Sequence, residues 1–124
     1  FQAASFGNAP GIKVTEDKAI ITLRFLDGSL GTIQYLANGH KSFPKERLEV
    51  FAGGRILQLD NFRRLTGYGW PGFGKLNLWR QDKGQKACAA AFVRAVEQGG
   101  PAPIPFDEIL EVARATIDVA ESLR

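Results

Sequence analysis

The sequence predicts an α+β fold: an open, largely antiparallel β-sheet with two C-terminal helices packed on one face. Three observations carry this. Between Lys18 and Leu59, apolar and polar residues alternate in short runs, the period of strands. The turn-forming groups "DGS", "NGHKSFP" and "GG" separate those runs at hairpin spacing. From Asp82 onward the apolar residues recur at helical spacing instead. Strands followed by helices, rather than alternating with them, favour α+β over a parallel α/β sheet.

The elements follow in order. Residues 1–17 are small and polar and predict irregular chain with at most one short edge strand. In "KAIITLRFL", residues 18–26, Ala19, Ile21, Leu23 and Phe25 share one face, and Ile20, Thr22, Arg24 and Leu26 share the other. The turn "DGS" leads into "LGTIQYLA", with Ile33, Tyr35 and Ala37 together and Thr32 and Gln34 opposite. In "KERLEVFA", Leu48, Val50 and Ala52 oppose Arg47, Glu49 and Phe51. Gly53-Gly54 permits a tight reversal into "RILQLDNF", which completes an antiparallel meander of four strands. The glycines at 67, 69, 72 and 74 predict a loop, and "KLNLWR" beyond it is compatible with one further strand.

A helix is predicted from Asp82 to Gly99-Gly100, with Asp82 and Gln85 as a capping box. Its apolar stripe is Ala89, Phe92, Val93 and Val96, and Cys88 is expected to be buried as a small apolar residue. After the stiff "PAPIP", a second helix carries Asp107 and Glu108 in its first turn, where they favour the helix dipole. Its predicted stripe is Ile109, Ala113, Thr116, Ile117 and Ala120.

Composition excludes several function classes. The chain has 124 residues, the size of a single domain spanning 1–124, with 44% hydrophobic content, ordinary for a globular domain. It begins at Phe1 and contains no Met, which leads us to expect a fragment of a larger protein. There is no signal-peptide pattern and no apolar run approaching the roughly 18 residues that a membrane helix requires. The 16 basic and 13 acidic residues give a net charge of +3, too little to argue for nucleic acid. Cys88 is the only cysteine, which rules out an intramolecular disulfide and fits a reducing, cytoplasmic setting. With His40 the only histidine, a His/Cys zinc tetrad is out of reach. No metal site is expected.

Motifs for chemistry are correspondingly sparse. "GYGWPG" opens no helix and so fails the structural context of a dinucleotide loop. Asp107-Glu108 reads as helix-terminal charge, and Glu46 and Glu49 do not converge on one face. "FRRLTGYGWPGFGKLNLWR" interleaves basic and aromatic residues, which leaves open a small basic α+β binding module for an acidic or nucleic-acid ligand. The mixed set Thr22, Arg24, Thr32, Gln34, Arg47, Glu49 and Phe51 suits a solvated sheet face and a subunit-interface sheet face equally well.

Taken in order, "FLDGSLGTIQYLANG", "PKERLEVFAGGRILQLDNFRRL" and "DKGQKACAAAFVRAVEQGGPAPIPFDEILEVARATIDVAESLR" resemble the C-terminal domain of the glucose–fructose oxidoreductase/inositol dehydrogenase (Gfo/Idh/MocA) family over residues 18–124. The wording is most similar to a branch joined to a zinc-type alcohol-dehydrogenase-like domain. The resemblance implies an N-terminal Rossmann domain, absent here, and a parent enzyme that uses NAD or NADP on a sugar, cyclitol or related hydroxyl compound. The family's Glu-Lys-Pro lysine and its Asp…His pair have no counterpart, and Lys45 in "PKE" is not the catalytic lysine. Gln85 stands where related sequences often have His. The implied role is therefore non-catalytic, with no cofactor in this piece. By themselves Tyr68, Trp70 and Phe73 read as aromatics at a hairpin end that fold back on the core, the commoner use of such residues. In the family's context they would form a substrate-side loop, and the open sheet face would serve a homo-oligomer.

Overall fold

The computed structural model describes residues 1–7, 10, 11, 13 and 17–124. Residues 8, 9, 12 and 14–16 of the expected irregular lead-in lie outside the described residues. The fold is α+β. Seven strands are followed by two helices: β1 Gln2–Ser5, β2 Lys18–Arg24, β3 Leu30–Leu36, β4 Arg47–Ala52, β5 Arg55–Asp60, β6 Arg64–Tyr68, β7 Lys75–Asn77, α1 Gln85–Glu97 and α2 Phe106–Ser122. All pairings are antiparallel, but the strands form two sheets rather than one continuous meander. The chain divides into two compact units, residues 1–39 with 101–124, and residues 40–100.

The first unit holds the sheet β1-β2-β3 and α2. The β2–β3 hairpin closes at Asp27, whose carboxylate accepts from the Ser29 amide at 2.9 Å and the Ser29 hydroxyl at 2.7 Å. These bonds, the hydroxyl's foremost, hold the Asp27 carboxyl below the usual range. Ala19 in the central strand is buried, and the Lys18 stem is buried beside it with its ammonium on Asp17 at 3.0 Å.

Helix α2 meets β1 and buries Val119, with Leu110, Ala115 and Leu123 partly covered. The predicted stripe of Ile109, Ala113, Thr116, Ile117 and Ala120 is exposed instead. The physical reason is that α2 carries apolar residues on more than one face. Periodicity marks the helix but does not choose which stripe meets a neighbour.

The second unit holds the meander β4-β5-β6-β7 and α1. Gly53 and Gly54 both take positive φ, 55° and 73°, and join β4 to β5 as a two-residue turn between the paired Ala52 and Arg55. The next reversal uses Asn61 and Phe62, both at φ 51°, a conformation that costs non-glycine residues about 1–2 kcal/mol each. Neighbouring chain holds them there. The Asn61 amide donates to the Glu46 carbonyl at 2.7 Å, Asp82 N donates to the Phe62 carbonyl at 3.0 Å, and Gln81 donates to the Asn61 side-chain oxygen at 2.9 Å. The strand predicted through "DNF" therefore stops at Asp60.

Strand β6 occupies part of the segment predicted as loop. A Cβ at Gly67 would lie 2.7 Å from Phe73 Cδ1 and 3.2 Å from Trp70 Cδ1. The bare glycine lets those rings fold onto the sheet, so glycine here marks a close approach rather than a break in the strand.

Helix α1 begins at Gly84, whose amide donates to Asp82 Oδ1 at 2.8 Å, and no side chain caps the helix itself. This replaces the predicted Asp82–Gln85 capping box. It ends as predicted at the glycine pair, with Gly99 N on Val96 O at 3.2 Å and Gly100 N on Ala95 O at 2.9 Å, a Schellman arrangement. No residue of α1 is buried, so its stripe of Phe92, Val93 and Val96 is uncovered. Cys88, expected inside, is exposed. The native chain is accordingly expected to react with a thiol reagent such as DTNB about as fast as the urea-unfolded chain. Reaction delayed until unfolding would return Cys88 to the interior.

The chain's accessible surface is 10718 Å². Even two separate globules, each with half of the chain's mass, would expose roughly 7,900 Å² by the size scaling of folded proteins. The excess is large, and large apolar side chains such as Leu48, Phe92 and Val96 are among the exposed residues.

Candidate functional site

The four-stranded sheet has two contrasting faces, set by the period-two alternation and the observed register. One face is apolar. Leu48, Leu59, Leu65 and Leu76 form a row across all four strands, with Val50 and Leu57 in the next row beside Gly67. The edge residues of this face, Leu48, Val50 and Leu76, are exposed. Trp70 and Phe73 lie against Gly67, and the Trp70 indole N–H donates to the Ile56 carbonyl at 3.1 Å. The Arg55 guanidinium stands 5.1 Å from the Trp70 ring centroid, within cation–π range.

The opposite face is polar. Arg47, Asp60, Arg64 and Asn77 make one row, Glu49, Gln58, Thr66 and Lys75 the next, and Phe51, Ile56 and Tyr68 the third. A groove of about 450 Å³ lies over this face between Arg47 and Lys75. On its β4–β5 side the groups satisfy one another. Glu49 Oε1 accepts from Gln58 at 2.7 Å and from Arg47 at 2.9 Å. Across the β5–β6 hairpin, Arg64 reaches Asp60 at 2.8 Å.

Gln58 first and Arg47 second hold the Glu49 carboxyl below the usual range. A carboxyl depressed in the folded state adds stability above its unfolded pKa and loses that contribution as pH falls through the folded value. The stability advantage of the natural chain over Glu49→Gln is therefore expected to shrink as pH drops below about 4.3. Urea midpoints measured from pH 7 to pH 3 check this, and parallel curves for the two proteins would refute it.

The residues singled out from the sequence separate into groups. Thr22 pairs directly with Thr32 in the three-stranded sheet, with Arg24 and Gln34 on the same face. Arg47, Glu49 and Phe51 share the polar face of the other sheet. The seven residues thus lie on two sheets, four on the three-stranded sheet and three on the four-stranded sheet. Tyr68 points with the polar face, whereas Trp70 and Phe73 fold onto the apolar one, so the three do not form a single loop surface. With the Trp70 and Phe73 rings turned to the sheet, they are not presented for base stacking. Lys45 is an exposed residue before β4. His40 Nδ1 lies 2.8 Å from Ser42 Oγ in an exposed loop.

Arg64, Thr66 and Lys75 were not singled out by sequence reasoning. The alternation Arg64, Thr66, Tyr68 in "RLTGY" is the signal that marks them, and the glycines masked it. No cluster of three or more His, Cys, Asp or Glu suited to a metal occurs among the described residues. Among those residues no helix is long and apolar enough to cross a membrane. Comparison of the chain with protein-family models, with curated proteins and with solved structures found no match.

Proposed function

We propose that this chain is the non-catalytic, substrate-side and association domain of an NAD(P)-dependent oxidoreductase acting on a sugar, cyclitol or related hydroxyl compound. The carrying observation is the uncovered apolar surface. Leu48, Val50 and Leu76 on one sheet face and Phe92, Val93 and Val96 on α1 stand in water. Apolar patches of this kind mark association surfaces. The order of sequence segments that resembles the Gfo/Idh/MocA C-terminal domain supports the enzymatic context. The nicotinamide would belong to a Rossmann domain of the parent, and no residue here is assigned to it.

Association runs through the apolar face of the four-stranded sheet rather than through Arg47, Glu49 and Phe51. The latter face has already spent Arg47 and Gln58 on Glu49. Light scattering over a concentration series tests the reading. A dimer or larger species is expected, with no NAD(P)H turnover by the chain alone. A monomer at high micromolar concentration would overturn it.

A further inference from the structure

The geometry points to a second property on the opposite face: the β6–β7 half of the polar groove binds a small compound carrying an oxyanion, a phosphate monoester or a carboxylate. Strand β6 presents Arg64, Thr66 and Tyr68 in succession on this face, and Lys75 on β7 sits directly opposite Thr66. Lys75 is also diagonal to Arg64, whose own cross-strand partner is Asn77. Two cations thus lie on neighbouring strands with a hydroxyl between them. Like charges on neighbouring strands are unfavourable. Among the described residues only Arg64 of the two has a carboxylate beside it, Asp60.

Donors outnumber acceptors here. Lys75 offers three N–H groups, and Thr66 and Tyr68 one O–H each. Among the described residues, none of these three side chains has a hydrogen-bond or ion-pair partner. Asp60 supplies the one carboxylate in the groove wall, and it is held by Arg64 through a single guanidinium nitrogen, which leaves other Arg64 donors open. The β4–β5 half differs because Glu49 is bound there by Arg47 and Gln58. The imbalance is therefore local to β6–β7, at a sheet edge that a ligand can approach. A groove of about 450 Å³ accommodates a compound the size of a hexose phosphate. Tyr68, exposed at the groove's end, offers a ring to the ligand's carbon skeleton.

This site does not depend on association, since Leu48 and Val50 point from the other side of the sheet. The test is amide NMR titration of the chain with glucose 6-phosphate, gluconate, inorganic phosphate and glucose as probes. Saturable shifts at Thr66, Tyr68 and Lys75 are expected with at least one of the two anionic sugars and none with glucose. Whichever anionic sugar binds identifies the oxyanion. Lys75→Glu is expected to weaken binding at least about tenfold, as loss of a charge-assisted contact does. Thr66→Val, which changes no charge, should weaken it by a smaller factor. Lys86→Glu, on α1, should leave it unchanged.

Equal response to glucose, inorganic phosphate shifting all lysines alike, or equal losses from Lys75→Glu and Lys86→Glu would overturn the site. Val50→Glu separates this reading from the association reading. It should remove self-association and leave ligand binding intact.

Discussion

On the proposed association through the apolar sheet face, replacing both Leu48 and Val50 with glutamate is expected to leave the chain monomeric. Each side chain transferred from water into an interface is worth about 1.5–3 kcal/mol. An interface with two-fold symmetry counts every such residue twice. Glutamates placed there must also be desolvated or protonated. The expected loss is at least about 4 kcal/mol, a Kd raised about a thousandfold. Sedimentation or light scattering reads this directly. Both residues are on the edge strand β4 and about half exposed in the isolated chain, so the substitutions remove only part of their packing against Leu59 and Leu57.

Arg24→Glu combined with Phe51→Glu is the counter-experiment. These side chains lie on two different sheets, and Phe51 faces the polar side. If that pair dissociates the complex while the Leu48 and Val50 substitutions do not, the association face is the mixed one after all.

Gly67→Val is expected to be the most damaging single substitution for the four-stranded unit. Its first side-chain atom would sit 2.7 Å from the Phe73 ring and 3.2 Å from Trp70. The Phe73 ring must shift, and Trp70 must give by a few tenths of an ångström. The displaced rings lose packing on the sheet, and the Trp70 indole bond to the Ile56 carbonyl is expected to weaken. Overpacking and the weakened hydrogen bond together are worth about 2–4 kcal/mol. Urea unfolding followed by tryptophan fluorescence measures it. A Trp79→Phe background leaves Trp70 as the sole indole, and its emission should shift to the red. A midpoint and emission unchanged by Gly67→Val would show that the rings do not rest on the sheet.

The strand segments were legible because alternation survives in a single sequence. "KAIITLR" and "RLEVFA" show it without ambiguity, and the glycine pair at 53–54 marks the hairpin. The helices were legible from their periodicity and from the Gly99-Gly100 stop. Strand β6 was not legible, because glycines at 67 and 69 look alike in sequence while serving different ends. Gly69 has a positive φ of 71°, as a turn requires, whereas Gly67 is there for the space its missing Cβ leaves. Asn61 and Phe62 escaped for a related reason. Their left-handed backbone is held by Glu46, Gln81 and Asp82, contacts distant in sequence.

The sequence alone determined the class of fold, the position of most strands and both helices, and that the chain carries a single Cys and a single His. Each of these rests on local periodicity, turn chemistry or residue counts, which need no tertiary information. Tertiary structure decided how the strands divide into two sheets, which stripe of α2 meets β1, and that Arg64, Thr66 and Lys75 share a groove. It also decided that Cys88 and the α1 stripe are exposed. These depend on strand register and on which neighbour an apolar face meets, and alternation along one strand specifies only that two faces differ, not what either one faces.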